Sequence, residues 1–357
     1  MEFPSTRIAV VGGGIIGAAI AWRLAQRGYT VSILEKTTLG AEASGASAGM
    51  LAPGGEVDQD AQLATLAVKS RRQWPDFVRE LSAVSGLAID YQENGAIDLA
   101  YSEEEWNKLQ HKTQIHRDFG IETQTLSASD VTQQWPFVQT DSLAGGMFYP
   151  QDGVVDPNHI MAALRVACEK SGVHIHEHTS IESISIGANG KVKLETRAQP
   201  LEADAAVIAA GAWSGMLPVT GTQTLPASEP VKGHLVGYEM PNKWCQPILR
   251  HGHTYMFQRA SGYLVAGATA ERVGFDRTIQ PAMARHIEDA ASFVLSILSD
   301  RTPSHVWMGF RPKSDELHLG RWRNSPLYLA YGHYRNGILL APLTAARVST
   351  EIGSALG

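Results

Sequence analysis

The sequence has little of what marks several protein classes. Only two cysteines, Cys168 and Cys245, occur in 357 residues, and neither sits in a Cys-x-x-Cys or metal-finger spacing. A disulfide scaffold or zinc module is therefore excluded, and a reduced, cytoplasmic protein is the economical expectation. Charge is also sparse. Thirty basic against 36 acidic residues leave a net charge of −6, with no basic block to follow a nucleic-acid backbone. No apolar run approaches the ~18 residues that span a bilayer. The first, Ile8 to Val11, is too short for a signal-peptide core and leads straight into glycines. Internal repeats and low-complexity tracts are missing as well. What remains is 44% hydrophobic and 18% charged, a globular composition with length enough for two domains.

Periodicity orders the chain. Ile8–Val11 predicts a buried parallel strand, Ile15–Arg27 a helix closed at Gly28, and Tyr29–Leu34 a second strand, together a βαβ unit. A helix over Ala61–Leu81 follows. Ala88–Tyr101, with a turn at Asn94-Gly95, then reads as paired antiparallel strands. Polar helices near Glu103–Phe119 and Ser129–Trp135 precede Asp156-Pro157-Asn158, which announces another helix. Strands are expected at Val173–His178, Ile181–Ile186, Val192–Thr196 and Ala205–Ala209, and short strands again over Pro226–Ala268. Pro281–Leu298 predicts an amphipathic helix, Val306–Arg311 and Leu327–Tyr331 two strands, and the last helix begins near Pro342. The expected class is α/β: a discontinuous Rossmann-like domain over 1–85, 150–220 and 320–357, with an inserted antiparallel α+β substrate domain over 86–149 and 221–319.

The first turn carries chemistry. In Gly12-Gly13-Gly14-Ile15-Ile16-Gly17, Gly12 permits the tight strand-to-helix turn, Gly14 lets backbone approach a pyrophosphate, and Gly17 lets the helix pack on the strand. The amides around Ile15 and Ile16 open the helix toward an anion. Glu35, followed by Lys36, ends the second strand and is placed to accept hydrogen bonds from ribose hydroxyls, which disfavours a 2′-phosphate. NAD and FAD both satisfy this turn.

Two further segments bear on that choice. Ala43–Leu51, including Ser44, Ala46, Ser47, Gly49 and Met50, is small enough for close backbone approach to a flavin. Gly332-His333-Tyr334-Arg335-Asn336-Gly337-Ile338, continuing to Pro342, sets glycine amides and a helix start after a buried strand. Such a site suits a ring edge that gathers negative charge on reduction.

These segments, with Ala209-Ala210-Gly211-Ala212-Trp213-Ser214 and Val265–Thr269 followed by Gly274-Phe275, resemble the D-amino-acid oxidase superfamily of flavoenzymes. Within it the chain is most similar to the glycine oxidase branch of thiazole biosynthesis. The resemblance implies FAD held along Gly12–Gly17, Glu35, Lys36, Ser44–Met50, Ala210, Gly211, Trp213 and Gly332–Ile338. It also implies that Arg311 and Tyr255 hold a substrate carboxylate and that Arg335 touches substrate or cofactor. A planar guanidinium suits that task, because one C–H bond must be presented at reacting distance. His333 is left without an assigned role. Partners implied are a small amino acid or amine and O2, with a homo-oligomer, a tetramer among the states.

After Arg311-Pro312 the chain reads Lys313-Ser314-Asp315-Glu316-Leu317-His318-Leu319-Gly320, where many relatives carry a Thr-Pro-Asp-Gly-like stretch. That departure touches substrate identity. The stretch has no cysteine for a covalent flavin link, so noncovalent FAD is expected. The activity expected is oxidative deamination of glycine, small amines or D-amino acids with release of H2O2. The alternatives are a D-amino-acid dehydrogenase feeding a quinone and a flavin-binding module without amine chemistry.

Overall fold

The computed structural model describes residues 6–56, 60–220, 224–243 and 247–356. Arg7–Val11 lies between two parallel partners, Thr30–Leu34 and Ala205–Ile208, with Val10 opposite both Ile33 and Val207. His174–His176 extends the parallel set on one side and Leu327–His333 on the other. The strands are apolar on both faces because helices cover one face and a four-stranded sheet over 181–220 packs on the other.

Nine of the twelve residues of the helix Ile15–Gln26 are buried, as its apolar sequence requires once helices Pro157–Lys170 and Gly337–Leu356 pack against it. The last helix begins at Gly337 and not at the expected Pro342, which lies inside it. A proline there removes a donor and disturbs the local ladder. The carbonyl next to the one that loses its donor, that of Leu339, accepts from Ser70 Oγ at 2.7 Å and Trp74 Nε1 at 2.9 Å, both on helix Ala61–Ser85. Side chains from a distant helix thus satisfy the carbonyl, and the helix continues.

One strand joins the two halves of the molecule. His305–Arg321 runs 17 residues, pairing antiparallel with Glu229–Tyr238 at its start and with Leu327–His333 at its end. The result is a single 13-stranded sheet, parallel at one end and mixed but largely antiparallel at the other. Arg311 therefore sits within a strand, where the sequence suggested the end of a short one. The polar run after it reads as loop by composition, yet it stays extended, with its register shifting between Lys313 and His318.

The expected hairpin across Asn94-Gly95 does not form. Tyr91–Gln92 pairs with Gly153–Val155, while Ala96–Ala100 joins Gly145–Tyr149 and, in parallel, Ile248–His251. Helix Pro281–Val294 closes this part of the core with Ala284, Ile287, Ala291 and Val294. Cys168 is buried with a free thiol, and Cys245 lies outside the described residues.

Candidate active site

The carboxyl ends of the parallel strands converge on one crevice, the position where open α/β sheets bind ligands. Val11 leads into Gly12, Leu34 into Glu35, and Ile208 into Ala209 and Ala210. Leu327–His333 delivers His333 beside them. A cavity of about 940 Å³ runs from there to the antiparallel half.

Backbone shapes its first end. Gly12 has φ of +106°, and a Cβ on it would overlap the Ala209 carbonyl. A Cβ on Gly17 would overlap the Gly12 carbonyl oxygen, so Gly17 sets helix packing and does not line the cavity. Gly14 caps the helix without a side-chain hydrogen bond, leaving the dipole end open to the cavity, and Ser44 Oγ accepts from the Ile15 amide at 2.9 Å. The Glu35 carboxylate is buried and accepts from Gly13 N at 2.7 Å and from Thr37 N at 2.8 Å. The Thr37 hydroxyl also donates to Oε1 at 2.9 Å, so Oε2, with the Gly13 amide alone, keeps acceptor capacity for a hydroxyl. Lys36 Nζ lies 3.0 Å from the centre of the Trp213 ring and 3.3 Å from Glu42; burial lowers its pKa against the pull of Glu42.

Along the middle, Ala43–Ala46 forms one helical turn and Met50–Leu51 a short strand, so the expected open loop is partly ordered. Gly49, at φ +82°, presses on the Val155 carbonyl where a Cβ would overlap. Trp307 Nε1 donates to the Ala46 carbonyl at 3.0 Å, and Arg259 Nη2 to that of Ala48 at 2.6 Å. Side chains from the antiparallel half thus fix this wall.

The far end gathers charge. Tyr255, Arg311 and Arg335 all line it. Arg311 Nη1 donates to the Thr269 carbonyl at 2.8 Å, and Gly233 leaves the space its guanidinium fills. Burial raises the Tyr255 pKa, so the phenol stays a hydrogen-bond donor. His333 is buried, bonds Thr344 Oγ1 through Nε2 at 3.0 Å, and has its pKa pushed down to about 3 by burial. It is neutral at physiological pH and braces the helix start.

Ala46, Ser47, Gly49, Met50, Ala210, Gly211, Trp213, Tyr334, Gly337 and Ile338 also face the cavity, whereas Gly332 and Asn336 do not. Gly332, at φ +88°, makes room for the Glu316 carbonyl, and Asn336 is buried behind the wall. Glu56, His253 and Glu271 line the cavity without having stood out in the sequence. Glu56 was hidden in Ala52-Pro53-Gly54-Gly55-Glu56, which has no period to mark one face.

A segment from Ala268 to Gln280 borders the same space. Fully buried Lys232 donates to the Thr278 carbonyl at 2.6 Å and pairs with Asp276 at 3.3 Å. His234 Nε2 accepts from the Gln280 amide at 3.2 Å, so Nδ1 carries the proton and donates to Glu271 at 2.8 Å. Phe275 stacks on Trp213 with centroids 4.5 Å apart, and Arg277 reaches Glu42 at 2.6 Å.

A crevice at the strand ends, a glycine turn, a buried carboxylate at the second strand and a long cavity define a dinucleotide-dependent enzyme. The family model for FAD dependent oxidoreductases (DAO) matches residues 7–350, and the chain belongs to that family. Its cofactor is FAD. The chain is 34% identical to a glycine oxidase of Geobacillus kaustophilus (strain HTA426) over 346 residues, 96% of this chain and 91% of the relative. A glycine oxidase of Bacillus subtilis (strain 168) is 31% identical over 348 residues, 96% and 92% of the two chains. The crystal structure of the Geobacillus kaustophilus glycine oxidase superposes with a TM-score of 0.92 at 33% identity, covering 98% of this chain and 95% of that one.

The residues present fit FAD. The glycine turn has no Cβ in the path of a pyrophosphate, and beside it the buried Glu35 carboxylate can accept a further hydrogen bond through Oε2. The cavity continues past Met50 to Tyr255 and Arg311 in the antiparallel half. No helix among the described residues is long and apolar enough to cross a membrane.

Proposed function

We propose that the protein oxidatively deaminates glycine and other small amino acids or amines. The observation that carries this reading is continuity: one cavity joins the Gly12–Gly17 turn to Arg311 and Tyr255. A carboxylate at the far end would take the Arg311 fork, held in place by its bond to the Thr269 carbonyl, with the Tyr255 phenol donating to it. That anchor fixes the α-carbon relative to the Met50 wall. Bound FAD supplies the two-electron acceptor, which O2 reoxidises with formation of H2O2.

The neutral form of the amine is the hydride donor and leaves as an imine that water hydrolyses; His333, whose pKa burial holds near 3, is too weak a base to take an ammonium proton and has no part in that step. The same reading divides the chain into an FAD-binding part, 1–85, 150–220 and 320–357, and a substrate-binding part, 86–149 and 221–319. FAD is held without a covalent bond, and acid precipitation is expected to leave it in the supernatant.

The test is an anaerobic titration of the flavin spectrum with glycine, sarcosine and D-amino acids. Glycine or another small member of the set should bleach it. Arg311→Ala should retain flavin while substrate affinity falls by about 2–5 kcal/mol, the cost of losing one partner of a buried charged pair. Unimpaired bleaching in that variant would overturn the reading.

A further inference from the structure

Glu56 has no part in holding the cofactor or the α-carboxylate, yet it is built into the far end of the cavity. Its side chain is only 5% exposed. Arg335 clamps it with both arms of its fork, Nε to Oε2 at 2.8 Å and Nη2 to Oε1 at 3.2 Å. Both carboxyl oxygens thus face N–H donors, a geometry that suits a carboxylate and leaves no acceptor for a carboxylic acid proton. Burial raises the pKa of this carboxyl, and Arg335, Arg250 and Arg311 oppose that shift.

The backbone that carries Glu56 is pinned from behind. Gly54 N donates to Asp152 Oδ1 at 3.2 Å, and Asp152 Oδ2 accepts from Arg250 Nη1 at 2.9 Å. A Cβ on Gly55 would overlap the Arg250 guanidinium, which also bonds Asp98. The buried Arg250 cluster therefore leaves the turn little freedom.

Of the charged groups that act on Tyr255 and line the cavity, Arg311 and Arg335 stand against Glu56. One positive charge remains. A ligand with one carboxylate and an uncharged amine brings it to zero, whereas a second carboxylate would leave an uncompensated negative charge beside the buried Glu56 carboxylate.

Resting on the function proposed above, we infer that Glu56 is a specificity-determining residue: by neutralising Arg335 it restricts the site to substrates with a single carboxylate. Arg335 is the latent second anion site that Glu56 occupies. Specificity of this kind comes from a repulsive element as much as from an attractive one.

The test uses the FAD-loaded enzyme and two ligands that carry no oxidisable amine, acetate and malonate, with affinities read from perturbation of the flavin spectrum. Wild type should bind acetate more tightly than malonate. Glu56→Gln keeps shape and removes charge, and should raise the malonate-to-acetate affinity ratio at least about tenfold. Arg335→Gln should lower that ratio, and the double variant should return it toward the wild-type value, which a purely structural role for the pair would not produce. An unchanged ratio in both single variants, with Arg311→Ala losing both ligands, would overturn the role of Glu56 and leave the proposed function standing. Retention of both ligands by Arg311→Ala would instead overturn the carboxylate site, and the role of Glu56 with it.

Discussion

The two ends of the cavity are built by different means. At the glycine turn, the recognition we propose rests on backbone: amides of a helix start, a positive-φ glycine, and one carboxylate fixed by the Gly13 and Thr37 amides. At the far end it rests on side chains from residues 56, 255, 311 and 335, borne by four separate elements. Damage at the first end should abolish cofactor binding regardless of substrate, whereas damage at the second should change ligand choice in a protein that stays yellow.

Gly17→Val would break the first end most completely. Its side chain would overlap the Gly12 carbonyl and pack against Val10, so helix and strand must part. The variant is expected to purify without flavin, as judged by the absence of visible absorbance, and reconstitution with excess FAD should not recover it. Glu35→Ala is milder. It removes the acceptor that orders the Gly13 amide and the proposed ribose contact, about 1–3 kcal/mol, or roughly ten- to a hundredfold in FAD affinity by fluorescence titration. Substrate affinity per bound flavin should not move. If it did, the two ends would be coupled through the turn.

How much could be read from the sequence follows the same division. Gly12, Gly14, Gly17 and Glu35 lie within 24 residues of one another, so spacing alone defines their geometry, and the parallel strands around them are continuous apolar runs. Glu56 lay hidden because its meaning depends on Arg335, 279 positions away, and on a turn pinned by Arg250. The expected strand Val306–Arg311 grows to 305–321 because Lys313 pairs with both Glu229 and His333 and pairing resumes at His318, long-range contacts that the polar composition of Lys313–Glu316 does not announce. Asn94-Gly95 has hairpin chemistry, yet long-range partners take both flanking strands. Propensity proposed these local structures, and tertiary pairing decided them.

His333 offers a test of the far end by acidity. Burial holds its pKa near 3, below the 6.5 of an ordinary imidazole, so on acidification the unfolded chain binds a proton that the folded chain refuses. The sign is fixed: stability is lost as pH falls from about 6.5 toward 3, by up to ~1.4 kcal/mol per pH unit. His333→Asn can keep a hydrogen bond to Thr344 and does not titrate. The difference in unfolding free energy between variant and wild type, taken from urea titrations, should therefore shift in favour of the variant by about 1 kcal/mol for the first full unit below 6.5. A difference that stays flat with pH would show that His333 is protonated, or exposed, in the native protein.

The smallest effect should come from the segment that bridges the two ends. Phe275 stacks on Trp213, a residue that lines the cofactor end, while Lys232 and His234 hold the same segment from beneath the substrate end. An aromatic stack of this geometry contributes about 0.5–1.5 kcal/mol beyond burial. Phe275→Ala should therefore speed FAD release about two- to tenfold, followed as the rise of free-flavin fluorescence after dilution. Arg277→Ala removes a pair whose arginine is 59% exposed, and should change the release rate less. Because Lys232 and His234 still anchor the segment in both variants, acetate affinity of the flavin-loaded enzyme should match wild type. Altered acetate affinity in Phe275→Ala would mean that the segment transmits changes from one end of the cavity to the other, and the division between backbone-built and side-chain-built ends would no longer hold.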